Sequence, residues 1–250
     1  MRDRIKQHYP AVKTPISIIP SWADPEKIKP IPRARNWFVQ RHDLQDRFTV
    51  IYSGNQGRCH DLTTLIDAAE LLRENPSVLF LIIGSGAQHK ELVGRAEALN
   101  LPNVRFLPYQ EADALPAVLA AADLAVVSLL ANAEGQVAPS MLYGHLAAGS
   151  PLAVICSESS YLRREVARAG CGNSFRSGEG AKMASWIEQL ANDPELCRKL
   201  GRASRRHLLS SATPELVVQA YAEVLARHLP LDQKAYAPPL NQEAIPLPRP

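Results

Sequence analysis

The feature that most limits the fold is a set of apolar runs without polar alternation: "FTVIYSG", "SVLFLIIGSG", "DLAVVSLL" and "LAVIC". A strand with one wet face alternates apolar and polar residues, so runs like these are buried on both faces. Helix-length segments of mixed character separate them. "DLTTLIDAAELLREN" sets Leu62, Leu65, Ile66, Ala69 and Leu72 on one helical face. "QHKELVGRAEAL", "ALPAVLAAA" and "SYLRREVARAG" follow, the last ended by Gly170. "VRFLPY" and "NSFR" read as shorter strands. This order predicts an α/β fold with a parallel sheet and helices on both faces. Three closing helices are expected over about 180–192, 194–209 and 214–229, since the Asp-Pro and Thr-Pro steps place Pro at a first helical position.

Composition narrows the rest. Twenty-eight basic residues against 25 acidic ones are too balanced to argue for a nucleic-acid surface. The cations are spread along the chain rather than blocked. Cys59, Cys156, Cys171 and Cys197 show neither CxxC nor Cys/His ligand spacing, so they read as reduced thiols and no metal site is expected. No apolar run reaches membrane-spanning length and no signal peptide is visible, which suggests a cytoplasmic protein. Prolines crowd both ends, and residues 230–250 read as a disordered or extended tail.

Ligands of parallel sheets bind at the carboxyl ends of the strands, so the turns there carry the functional expectations. In "SGNQGRCHDL", Gly54 and Gly57 let the backbone approach a ligand, Arg58 offers a two-pronged cation and Asp61 can cap the next helix. Together they suit an anion such as a diphosphate, though a tight turn with a solvent-facing Arg58 reads equally well. "GSGAQH" has Gly84 and Gly86, but His89 stands where a third glycine would allow close helix packing. A nicotinamide cofactor is therefore not expected. "FLPY" offers backbone groups and a ring to a planar base, or is a strand end with core aromatics. In "EGQVAPSMLYGHLAAGSP", Ser140 reads as an N-cap, with free amides around Ser140, Met141 and Leu142 at the positive helix end.

In order, "IIPSWAD", "YSGNQGRCHDLTTLIDAA", "LIIGSG", "NVRFLPYQ", "LPAVLAAADLAVVSL", "APSMLYGHLAAGSPLAVI" and "AGCG" followed by "LANDPELCRKLGRASRRHL" resemble the donor-binding, C-terminal half of GT-B glycosyltransferases. The nearest subgroup is the family-4-like retaining enzymes of bacterial polysaccharide synthesis. The resemblance implies a Rossmann-like domain over residues 21–229 that holds a nucleotide-diphosphate sugar for retaining transfer to a saccharide or lipid-linked acceptor. It also implies that no metal or other cofactor is needed, because cations and helix N-termini stabilise the leaving diphosphate. Carried over by position, Gly54, Asn55, Gly57, Arg58, His60, Ser140, Met141 and Leu142 lie at the diphosphate. Leu107, Pro108 and Tyr109, with Glu134 and Gln136, lie at the base and sugar. No catalytic residue is assigned.

The sequence departs from the pattern in three ways. Relatives carry two glutamates eight positions apart; here those places hold Gln136 and Gly144, with Glu134 two residues early. His60 and Met141 stand where relatives place lysines, which leaves Arg58 as the main cation. Only about 20 residues precede "IIPSWAD", where the resemblance calls for a further sheet domain of roughly 150–200 residues. Residues 1–20 resemble the last helix and strand of that acceptor domain. The "ISII" strand would then be an open edge for a partner chain or a second copy, or would fold back on its own domain. A glycosyltransferase donor domain, active with an N-terminal partner or longer parent chain, is the first reading. A non-catalytic nucleotide-sugar-binding or regulatory subunit is the second. An epimerase or phosphorylase on the same fold is weaker. Peripheral membrane association through a lipid-linked acceptor is compatible with the first.

Overall fold

Every apolar run predicted as a strand, apart from "ISII", forms one in the computed structural model, which describes residues 1–227. After α1 (Arg2–His8) and α2 (Trp37–Arg41), strand and helix alternate: β1 (Phe48–Ser53), α3 (Thr63–Leu71), β2 (Val78–Ile83), α4 (His89–Ala98) and β3 (Val104–Leu107). The second half runs α5 (Leu115–Ala120), β4 (Leu124–Ser128), α6 (Met141–Ala148), β5 (Leu152–Ile155), α7 (Tyr161–Ala169) and β6 (Gly172–Phe175). Helices α8 (Gly180–Asn192), α9 (Pro194–Ser211) and α10 (Pro214–Ala226) close it. Side chains of Asp193 and Thr213 accept from the amides of Leu196 and Leu216, so the Asp-Pro and Thr-Pro steps cap α9 and α10 as expected. The last residues expected of α10 and the tail at 230–250 lie outside the described residues.

The strands form one parallel sheet in the order β3-β2-β1-β4-β5-β6. This is the Rossmann-like arrangement, with its switch point between β1 and β4. The missing polar alternation has a direct structural cause. Ile51, Leu81, Val127 and Val154 enter one core with residues of α2, α5, α6, α7 and α9. Their neighbours Val50, Phe80, Val126 and Ala153 enter the other core with α3, α4 and α8. No helix among the described residues is long and apolar enough to cross a membrane.

One expected strand is absent. "ISII" lies outside every strand, and Ile18 is exposed. Pro15 and Pro20 bracket the run without N–H groups to donate, and it pairs with neither edge strand, β3 or β6. The expected helix does form at α1. It buries no residue and reaches the domain through Arg4, whose Nη1 donates to Glu134 O at 2.9 Å.

Helix α6 contains His145, fully buried with neither ring nitrogen hydrogen-bonded. Burial disfavours the imidazolium and lowers its pKa from 6.5 to about 4. Between these values the open chain binds the proton and the native chain does not, so stability falls as pH drops through that window. We predict that His145→Leu flattens this acid limb. Urea denaturation should show wild type losing about 2 kcal/mol more than the variant between pH 7.5 and about pH 5. Parallel losses in the two proteins would refute the assignment.

Candidate functional site

The turns after β1, β2 and β4 meet at the carboxyl end of the sheet, and their backbones hold one another. Gly54 N donates to Ile83 O at 2.9 Å, Gly84 N to Leu107 O at 2.9 Å and Gln56 N to Ser85 O at 2.9 Å. The first two turns touch so closely that side chains are excluded. A Cβ at Gly84 (φ +119°) would stand 2.1 Å from Gly54 O, and one at Gly86 (φ +157°) 2.5 Å from Asn55 Oδ1. The "GSG" step is therefore required by the close approach of another turn, a reason beyond easing its own.

From here α4 clamps the 54–60 turn. Gln88 Nε2 donates to the carbonyls of Gly57 and His60, and Gln88 N to Gln56 O at 3.0 Å. His89 Nδ1 meets Gln56 Oε1 at 2.9 Å; since that amide oxygen only accepts, the proton is on Nδ1. Gln56 is fully buried, and its Nε2 has no partner. The His89 position, read in sequence only as a departure from a dinucleotide motif, thus serves this turn. Ser85, Gln88 and His89 are the residues that sequence reasoning missed, whereas Gln56 lies within the Asn55–Arg58 turn expected at the site. The signal was present in "GSGAQH", but it points to a neighbouring turn and not to a ligand.

The other side of the turn is tied across the switch point. Asp61 N donates to Ser128 Oγ at 2.7 Å and Leu130 N to Cys59 O at 2.8 Å. Asp61 caps α3 as expected, Oδ1 accepting from Thr64 N at 3.1 Å and Oδ2 from Thr64 Oγ1 at 2.7 Å. His60 Nδ1 lies 2.6 Å from Ser128 O, so this nitrogen donates to a carbonyl. One edge of the His60 ring is thus committed to joining β1 and β4. Between these anchored neighbours Arg58 is exposed, and its guanidinium makes no hydrogen bond or ion pair among the described residues. The cation is free while the backbone beneath it is fixed.

Helix α6 opens beside the same turn: Met141 Cγ would lie 3.7 Å from a Cβ at Gly54. Ser140 occupies the position before the helix but does not cap it. Its backbone is already helical (φ −67°, ψ −25°), and its side chain makes no capping bond. Leu142 N is used by Pro139 O at 3.3 Å and Tyr143 N by Ser140 O at 3.1 Å. The amides of Ser140 and Met141 stay unpaired among the described residues, so the expected donor set shrinks by Leu142, whose side chain is buried.

The remaining expected residues divide. Leu107 is partly buried against the core, and Tyr109 is exposed with its hydroxyl donating to Ser85 O at 3.1 Å. Its ring edge borders Gly84, which sets the 107–109 segment beside the first turn. Glu134 faces elsewhere, Oε1 accepting from Ser157 Oγ at 2.7 Å. Gln136 is exposed, and its Nε2 donates to Asn132 O at 3.1 Å. Gly144, where relatives place a carboxylate, is buried: a Cβ there would stand 2.9 Å from Leu119 Cδ1 on α5.

Comparison with known proteins places these features in a family. The model described as Glycosyl transferases group 1 matches residues 35–207. The chain is 34% identical over 146 residues to WcaI of Escherichia coli K12, named as a colanic acid biosynthesis glycosyl transferase, covering 58% of this chain and 35% of that one. It is 28% identical over 213 residues to the Bacillus subtilis glycosyltransferase EpsD, covering 84% and 54%. The chain thus spans about a third to a half of these curated relatives. Among solved structures, Anabaena HepE in complex with UDP and glucose superposes with a TM-score of 0.72 at 20% identity, over 84% of this chain and 56% of that one. WaaG, a glycosyltransferase involved in lipopolysaccharide biosynthesis, gives 0.73 at 18%, over 89% and 60%. At such identity these superpositions speak for the fold alone.

If Gln88 holds the turn for an anion, Gln88→Ala should weaken nucleotide-diphosphate binding several-fold and lower the melting temperature only slightly. Calorimetric titration with UDP beside a melting curve tests this. A variant with unchanged affinity would show that the clamp serves folding only.

Proposed function

The chain belongs to the glycosyl transferases group 1 family, and from that premise we propose that it is the donor-binding half of a retaining glycosyltransferase. Its substrate is a nucleotide-diphosphate sugar, and transfer is to a saccharide or lipid-linked acceptor held by a further domain. The observation that carries this reading is the convergence of two unlike anion-binding features. Arg58 is unpaired on the turn that begins at Gly54, and the free amides of Ser140 and Met141 open the helix whose Met141 Cγ would lie 3.7 Å from a Cβ at Gly54. As the bond from the sugar's anomeric carbon to the diphosphate breaks, negative charge grows on the leaving phosphate. Fixed donors aimed at that charge stabilise it without reorganising. In this reading no metal ion is required. Tyr109 and the 107–109 backbone border the base, consistent with a ring beside the first turn.

One observation favours a second reading, a nucleotide-sugar-binding subunit without turnover. Where the resemblance calls for a carboxylate and a cation, this chain has Gly144 packed against Leu119 of α5 and Met141 beside Gly54. Both readings keep donor binding and differ in turnover.

We expect Arg58→Ala to lower UDP affinity by about tenfold to a hundredfold, because charge-assisted hydrogen bonds contribute about 1.5–3 kcal/mol. Stability should hardly change, as an exposed, unpaired arginine adds little to folding. Calorimetric titration of both proteins with UDP and GDP, with melting curves, decides the matter. Equal affinities would remove Arg58 from the site. A binding-competent chain that transfers no sugar when joined to an N-terminal half would favour the second reading.

A further inference from the structure

The donor turns occupy the carboxyl pole of the sheet, whereas the opposite pole carries a cleft of about 1010 Å³. Phe48 at the head of β1, Ala122 before β4 and Pro151 before β5 line its apolar floor. Parallel strands all begin at this pole, so the cleft is separate from the site described above. Its other walls are cationic, with Asp123 as the one acidic lining residue among those described.

These cations fall into two groups. Arg33 and Arg205 are committed to the fold. Arg33 binds Asp123 Oδ2 at 2.7 Å and the carbonyls of Leu44 and Arg47, and Arg205 binds those of Pro25, Ile28 and Ala147. The other cations of α9 make no such bonds to backbone carbonyls. Arg198, Arg202 and Arg206 recur every fourth residue, which stacks like charges on one face of the helix. Glu195 is shared between Arg198 and Arg202 at 2.8 and 3.3 Å. The side chains of Lys199 and Arg206 make no hydrogen bond or ion pair among the described residues, and both are exposed. A helix face that repels itself over an apolar floor is relieved by an anion from outside. The low-dielectric floor strengthens that attraction. Guanidinium forks match the paired oxygens of a phosphate better than a single carboxylate, so phosphate is the chemistry that fits.

We propose that this cleft binds a phosphate-bearing anion, either free or as a phospholipid headgroup, with Lys199 and Arg206 as its principal contacts. The site is remote from the donor turns and anchors or regulates the protein without taking part in transfer.

The test uses the full chain carrying Arg58→Ala, so that the donor turn contributes little, with and without Lys199→Glu/Arg206→Glu. Inorganic pyrophosphate is titrated calorimetrically, and vesicles of phosphatidylcholine with or without phosphatidylglycerol are co-sedimented at low and raised salt. At least one probe should bind in a salt-sensitive way, and the charge reversal should weaken it about tenfold or more. Pyrophosphate binding alone identifies a free anion; binding to phosphatidylglycerol vesicles identifies the headgroup. The neutral pair Lys199→Gln/Arg206→Gln reads the same loss should the reversal prevent folding. In an otherwise unaltered chain, UDP affinity should stay as it was. Failure of both probes, equal binding by all variants, or a loss of UDP binding with the charge change would overturn the proposal.

Discussion

The contact between the backbone of Gly54 and that of Gly84 governs the whole carboxyl pole. The two turns can share that space only if the 84–86 turn carries no side chain at Gly84 and Gly86, where it touches the first. Once they do, Gln56 N reaches Ser85 O and Gln88 reaches back to Gly57 and His60. Ser128 and Leu130 complete the ring from the other side of the switch point. The turn under Arg58 is thereby held at several points, although it has no regular secondary structure. A cation on such a support loses little conformational freedom in the backbone when it binds, which is the physical content of preorganisation.

The residues that depart from the expected pattern each have a packing context. Gly144 lies where α6 packs on α5, and Leu119 fills the space a Cβ would enter. Met141 rests on Gly54 as an apolar contact where a lysine would carry charge. His60 keeps a titratable ring near the site but ties Nδ1 to Ser128 O. At this pole Arg58 and the amides of Ser140 and Met141 stay unpaired among the described residues.

The two poles of the sheet use arginine differently. At the amino pole, Arg33 and Arg205 satisfy carbonyls that end loops and helices, an obligation the fold must meet somewhere. Beside them Lys199 and Arg206 of α9 make no hydrogen bond or ion pair among the described residues. Such unpaired charge separates a structural arginine from one available to a ligand, and sequence counts cannot make that separation.

The fold class was legible because burial on both faces leaves an unmistakable mark: strands such as "VLFLII" with no polar residue, interrupted by helices with one apolar face. Helix ends were legible too, since Gly170, Asp193 and Thr213 act through local chemistry. Arg58 and Gly54 lie on the turn after β1 and Tyr109 just beyond β3, at the carboxyl ends of strands that the apolar runs already marked. Sequence could not reveal which amides survive near Ser140, because that depends on a tight first turn of α6. It could not show that "ISII" finds no ladder, nor that Gln88 and His89 serve a turn some thirty residues away. Periodicity and capping are set by neighbours in the chain and can be read from it. Hydrogen bonds between turns and the charge left over on α9 depend on which distant backbones the sheet brings together, and only the tertiary structure decides that.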